Sequence, residues 1–275
     1  MLKDLIEYAG IFEPKLLDQL EFNQNPRKVF IYIVNLDNCK LNVFQLRQSL
    51  ATEEQVQASK YYTDHLRKRY IISHGILRYI LGYYTKQHPK DIIFSYGAYG
   101  KPFLKESNIT FNMSHSHDII GYAIALNNRV GIDIELYDKN LDVQELANLV
   151  FTPTEYRFFT YLNADEKVSF FYHIWTKKES LIKANGRGLS YPMHTIEAMT
   201  SGNIFAISEK NLYRQAWYYI PLTISVNYSA ALTIEYPISQ VIYVEMDGNI
   251  FSKTRMELYP RIPHQKIFIC NIIFY

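Results

Sequence analysis

Apolar and acidic residues alternate through Gly131-Ile132-Asp133-Ile134-Glu135, and that alternation dictates a strand with two unlike faces. Successive side chains of a strand leave on opposite sides, so Ile132 and Ile134 share one face while Asp133 and Glu135 share the other. Two neighbouring carboxylates repel each other. The arrangement becomes favourable where a hard cation such as Mg²⁺ sits between them, above all one that also takes oxygens from a substrate phosphate. A half-exposed strand with an acidic outer face carries the same pattern without any ligand, so at this point both readings stand.

The surrounding sequence places this strand among mixed elements. Residues 29–34, Val-Phe-Ile-Tyr-Ile-Val, are β-branched and aromatic and read as a buried strand. The apolar positions between Glu53 and Tyr84 suit two amphipathic helices broken near Tyr62-Thr63-Asp64. Gly97 and Gly100-Lys101-Pro102 punctuate a loop. Strands are expected over 109–113, 119–126 and 130–136, with Asn127-Asn128 as a tight turn because Asn tolerates positive φ. Helices follow over 143–150, 154–162 and 168–183, with Pro153 suited to a first turn. Short strands fill 191–237, and 238–275 mixes strand-like runs with charge and carries no assigned role.

Composition narrows the classes. A chain of 275 residues with 48% hydrophobic content can bury a substantial core. Its formal net charge of +2 is too mild to announce a nucleic-acid or membrane-surface partner. No apolar run approaches the roughly 18 to 20 residues of a membrane helix, and Asp4 and Glu7 spoil a signal-peptide reading. Cys39 and Cys270 are the only cysteines and form no ligand pattern, which suits a reduced compartment and a cytoplasmic location.

Two more segments carry chemistry-bearing groups. Trp175, Glu179 and Lys183 recur every four residues and stack on one helical face; Glu179 either completes a metal site with Lys183 on a phosphate, or simply pairs with it. Phe111-Asn112-Met113-Ser114-His115-Ser116 ends a strand where side chains and amides could receive an anion. His115 and His117 lack further ligands at zinc spacing.

Taken in order, Gly100-Lys101-Pro102, Phe-Asn-Met-Ser-His-Ser, Gly-Ile-Asp-Ile-Glu, Phe151-Thr152-Pro153-Thr154-Glu155, Trp-Thr-Lys-Lys-Glu-Ser-Leu-Ile-Lys and Gly186-Arg187-Gly188-Leu189 resemble the Sfp-type 4'-phosphopantetheinyl transferases over roughly residues 29–237. The resemblance implies an α+β fold, a pseudo-twofold pair of similar α/β halves in one chain. The expected division is 1–128, then 129–237 with the metal motifs, then 238–275 as an extension. It implies transfer of the phosphopantetheine arm of coenzyme A to a serine of an acyl or peptidyl carrier protein, releasing adenosine 3',5'-bisphosphate.

By the same match Asp133, Glu135 and Glu179 are Mg²⁺ ligands, and Lys183, Lys101, Ser114 and His115 contact coenzyme A, with Arg69 as a looser match at its nucleotide end. Glu179 is the first choice for the base and Glu155 the second, although Thr152 and Glu155 also suit a capping box. Trp175 is read as packing, and Lys178 as a residue near the site, with a solvated surface lysine as the alternative. Phe151, Phe158 and Phe159 are candidates for meeting the carrier, with burial expected for at least two. A monomer is expected because both halves of the cleft lie in one chain. Fatty-acid, polyketide and nonribosomal-peptide carriers all fit the implied partner class.

Two rivals are weighed. A metal-dependent nuclease of the Asp...Glu-x-Lys kind needs a lysine where Tyr137 stands. A catalytically inactive module that binds coenzyme A or a carrier would share the fold, yet the three carboxylates and Lys183 are all present.

Overall fold

The computed structural model describes residues 27–36, 41–188, 191–200, 204–206, 216–247 and 250–258. Asp4, Glu7, Cys39, Leu189, Cys270 and the end of the tail, 259–275, lie outside the described residues.

Strand β1 (Lys28–Asn35) is apolar on both faces because both are covered. Phe30, Tyr32 and Val34 pack into one cluster, and Val29, Ile31 and Ile33 into another. The first cluster is closed by helices α1 (Val43–Ser49), α2 (Thr52–Ser59) and α3 (Asp64–Thr85). The break expected near Thr63 is the start of α3, where the Thr63 side chain accepts a hydrogen bond from the Leu66 N–H. The loop expected around Gly97 instead forms a hairpin of β2 (Phe94–Tyr96) and β3 (Pro102–Leu104). Three-residue strands are too short for an alternation to register.

Next come β4 (Ile109–Ser116), β5 (Ile119–Leu126) and β6 (Val130–Leu136). Asn127 sits at φ 49 in the turn that carries the chain from one sheet to the other. We propose the division at 128/129 on that ground. Helices α4 (Val143–Val150), α5 (Pro153–Thr160) and α6 (Ala164–Asn185) follow. Helix α6 begins before the periodicity predicts because Asn163 and Glu166 close a capping box around its first turn. It ends where Gly186, at φ 75, takes the left-handed conformation and returns its N–H to the Ile182 carbonyl.

The remaining strands are β7 (Ile204–Ala206), β8 (Ala216–Pro221), β9 (Tyr228–Ile234), β10 (Gln240–Asp247) and β11 (Ile250–Leu258). They sort into two sheets, β11-β10-β1-β5-β4 and β6-β9-β8-β7, beside the β2-β3 hairpin. Strand β10 pairs parallel with β1, so the described part of the segment that the sequence left without a role extends the first sheet. The inner faces of the two sheets meet in a cluster that includes Ile31, Ala123, Ile132, Ile134 and Leu232. Helix α6 and its neighbours cover the outer face of the second sheet, where Phe159, Phe171 and Leu181 pack in one cluster with Trp217 of β8. Each half thus lays a 22-residue helix, α3 or α6, against its own sheet. No helix among the described residues is long and apolar enough to cross a membrane.

Candidate active site

Close approach of α6 to β6 builds the site. A Cβ on Gly131 would lie 2.0 Å from the Ser180 carbonyl oxygen, so only glycine lets the helix descend this far. Two hydroxyl pairs, Ser180 with Thr233 at 2.7 Å and Thr176 with Ser229 at 2.9 Å, pin the helix to β9. The outward face of β6, carrying Asp133 and Glu135, therefore meets the face of α6 carrying Glu179 and Lys183.

Asp133 is buried. Its Oδ1 accepts from Lys183 Nζ at 2.6 Å and from Ser114 Oγ at 3.1 Å, while Oδ2 has no hydrogen-bond partner among the described residues. Lys183 Nζ also donates to Ser114 Oγ at 2.9 Å. Glu135 Oε2 accepts from Ser116 Oγ at 3.0 Å. Glu179 is buried, and its Oε1 likewise lacks a partner among the described residues.

The carboxylates disturb one another as clustered like charges must. Burial, followed by repulsion from Asp133, pushes Glu179 up to about 7 against the pull of Lys183. Burial and then Asp133 raise Glu135, opposed by Ser116, Lys183 and Trp175. Burial raises Asp133 as well, opposed chiefly by Lys183. Among the described residues no three His, Cys, Asp or Glu side chains form a ready-made metal cluster; the carboxylates are gathered without being drawn together. Two orphaned buried oxygens and the unbalanced negative charge fit a hard divalent cation that takes the rest of its oxygens from a bound phosphate.

Beside the acids lies a basic edge. Burial and then the nearby Arg69 hold His115 below the usual histidine range, with smaller contributions from Lys183 and His74. Arg69 Nε is buried with no hydrogen-bond partner among the described residues. His74 stacks on Tyr70 at 3.9 Å and sets its Nδ1 against the Tyr70 carbonyl oxygen. Arg69 and Lys183 thus bring positive charge beside a His115 that burial and their charge hold neutral, although the three lie far apart in sequence.

Two residues stand elsewhere than the sequence suggests. Lys101 Nζ donates to the carbonyl oxygens of Val130 at 2.9 Å and Ala184 at 3.2 Å, so its amine serves the seam between the hairpin and the end of α6. A phosphate would have to draw it from those acceptors. Glu155 is fully buried in an ion pair with Lys178 at 2.5 Å, both side chains showing 0% exposure. Its oxygens also accept from the Thr152 and Ala198 N–H groups. The capping box expected with Thr152 is present. With its acceptor sites taken inside the core, Glu155 belongs to the framework, which corrects its choice as a second base. Lys178 likewise belongs to the core rather than to the site or the surface.

Trp175 packs on Phe171 with ring centroids 5.8 Å apart and helps to hold the Glu135 carboxylate. Phe151 and Phe159 are buried, whereas Phe158 is exposed, as are Leu149 and Tyr161. Sequence reasoning gave no separate role to Asn112 or Ser116. Their recurrence with Ser114 at every second residue was the available signal.

Residues 129–233 match the 4'-phosphopantetheinyl transferase superfamily, and residues 39–126 match a family described as 4'-phosphopantetheinyl transferase, N-terminal. The 4'-phosphopantetheinyl transferase HetI of a Nostoc species is 33% identical over 167 residues, covering 59% of this chain and 70% of HetI. The 4'-phosphopantetheinyl transferase Sfp of Bacillus subtilis is 32% identical over 145 residues, covering 52% of this chain and 63% of Sfp. A solved holo-[acyl-carrier-protein] synthase of Thermotoga maritima is 21% identical with a TM-score of 0.33, over 43% of this chain and 68% of its own.

Proposed function

This chain belongs to the 4'-phosphopantetheinyl transferase superfamily, of the Sfp type, and from that premise we propose that it transfers the phosphopantetheine arm of coenzyme A to a serine of an acyl or peptidyl carrier protein. The observation that carries this reading is the meeting of Asp133, Glu135 and Glu179 with Lys183, beside Arg69 and His115. Acids able to share a cation thus stand beside groups able to hold a phosphate.

The serine hydroxyl attacks the β-phosphorus of coenzyme A, the bond from that phosphorus to the bridging oxygen breaks, and adenosine 3',5'-bisphosphate leaves with the electron pair. Lys183, released from Asp133, spreads the charge that grows on the pyrophosphate, and His115 and Arg69 hold the nucleotide end. Glu179, a buried carboxylate beside Asp133 and Lys183, takes the serine proton. Asp133, Glu135 and Glu179 would hold Mg²⁺, which when bound would neutralise pyrophosphate charge.

The exposed Phe158, Leu149 and Tyr161, with Arg157 between them in sequence, suit the acidic, partly apolar recognition helix of a carrier. The enzyme is a cytoplasmic monomer in this reading, and light scattering at 32.4 kDa tests the second point. Release of adenosine 3',5'-bisphosphate from coenzyme A, measured with and without apo carrier, tests the reaction. Carrier-dependent release supports it; coenzyme A binding without release across several carriers would leave the inactive module.

A further inference from the structure

The two sheets touch along a pair of edges. Strand β4 ends the first sheet and β6 begins the second, so each has backbone groups on its free side that need partners. The N–H groups of Ile132, Ile134 and Leu136 find them in side chains of β4: Asn112 Oδ1 at 2.8 Å, Ser114 Oγ at 3.2 Å and Ser116 Oγ at 3.0 Å. Every second residue of one strand thus accepts from every second amide of the other.

The two serines do more than accept. A hydroxyl carries one proton beside its lone pairs, and once a backbone N–H claims the acceptor side the proton is turned elsewhere. Ser114 donates to Asp133, the residue before Ile134, and Ser116 donates to Glu135, the residue before Leu136. At the third position the residue before Ile132 is Gly131. It has no side chain to orient, and there the β4 residue is Asn112, which supplies the needed acceptor.

We propose that Ser116 is a positioning residue: it fixes the rotamer of Glu135 from the opposite half of the molecule, so that docking of the two sheets sets the geometry of the cation site. The proposal rests on the metal reading of the carboxylates given above. It assigns Ser116 no contact with coenzyme A or with the reacting serine. Ser114 obeys the same rule but also contacts Lys183, so Ser116 isolates the effect.

The test compares wild type with Ser116→Ala and Ser116→Thr by following free Mn²⁺ with electron paramagnetic resonance, in the presence of coenzyme A and without carrier. Ser116→Ala should bind Mn²⁺ about 10-fold more weakly and Ser116→Thr like wild type. The KM for coenzyme A at saturating metal should be unchanged. Amide exchange at Leu136 should quicken about tenfold in the alanine variant, as expected for one lost hydrogen bond. In a Glu135→Gln background, Ser116→Ala should weaken Mn²⁺ binding no further. Ser116→Cys, which keeps the volume with a poorer donor, replaces the alanine variant if that does not fold. Wild-type Mn²⁺ affinity in the alanine variant, with faster Leu136 exchange, would overturn the proposal alone. Failure of wild type to bind Mn²⁺ would remove the metal reading together with it.

Discussion

Lys183 Nζ stands 2.6 Å from Asp133 Oδ1, joining the helix of the second half to its edge strand. The lysine side chain is 29% exposed and the aspartate 3%, so the pair opens on one side only. A substrate phosphate arriving from that side competes with Asp133 Oδ1 and Ser114 Oγ for the ammonium. Replacing Lys183 with Ala should therefore lower kcat/KM for coenzyme A by about 100-fold or more while the fold persists. Steady-state kinetics decide it: unchanged constants would reduce Lys183 to a structural partner of Asp133.

Glu179 is ionised only at a cost, since burial and Asp133 raise it to about 7. A carboxylate raised in the folded state destabilises the fold as pH climbs past its unfolded value toward the folded one, and above about 7 that cost is complete. Glu179→Gln should then show a melting temperature at about pH 8 without divalent ions equal to or above that of wild type, yet transfer at no more than about 1% of the wild-type rate. A variant that transfers normally would take Glu179 out of the site. One that melts far lower would make it a structural residue.

The buried pair of Glu155 and Lys178 predicts the reverse pattern. Glu155→Gln leaves an unpaired ammonium in the core and should cost about 3 to 5 kcal/mol of stability, measured by urea unfolding. Transfer per folded molecule should stay near the wild-type rate. The double variant with Lys178→Met should recover part of the loss. A collapse of activity at unchanged stability would restore Glu155 as a base.

Lys101 gives a pH dependence of opposite sign to that of a raised acid. Burial, followed by the charge of Arg129, lowers it from 10.5 to about 7. Between those values the unfolded chain holds a proton that the folded protein has shed, so its contribution makes stability rise with pH from about 7 toward about 10. Urea unfolding across that range should show a slope in wild type that is flattened in Lys101→Met. Equal slopes would mean that Lys101 is not held in this enclosed position.

Much of this was legible in the sequence because the signals were local. The alternation at Asp133 and Glu135 set both the strand and the shared face, the break near Thr63 marked the start of α3, and the recurrence of Trp175, Glu179 and Lys183 placed those side chains on one face of α6. What escaped were relations between distant segments. Nothing near Lys178 announces that Glu155 will neutralise it in the core, because that pairing depends on how α5 docks on α6. Strand β10 gave no sign that it would join β1, since a strand's partner is chosen by exposed edges rather than by its own pattern. The role of Ser116 was hidden for the same reason: its partners, Glu135 and Leu136, lie in the other sheet.

The central claim is most directly tested by intact-protein mass spectrometry of a purified apo carrier protein after incubation with the enzyme, coenzyme A and Mg²⁺, beside an EDTA control. The account predicts a gain of one phosphopantetheine on the carrier, abolished by EDTA and absent with Asp133→Ala. An unmodified carrier across fatty-acid, polyketide and nonribosomal-peptide types, from an enzyme that demonstrably binds coenzyme A, would contradict it.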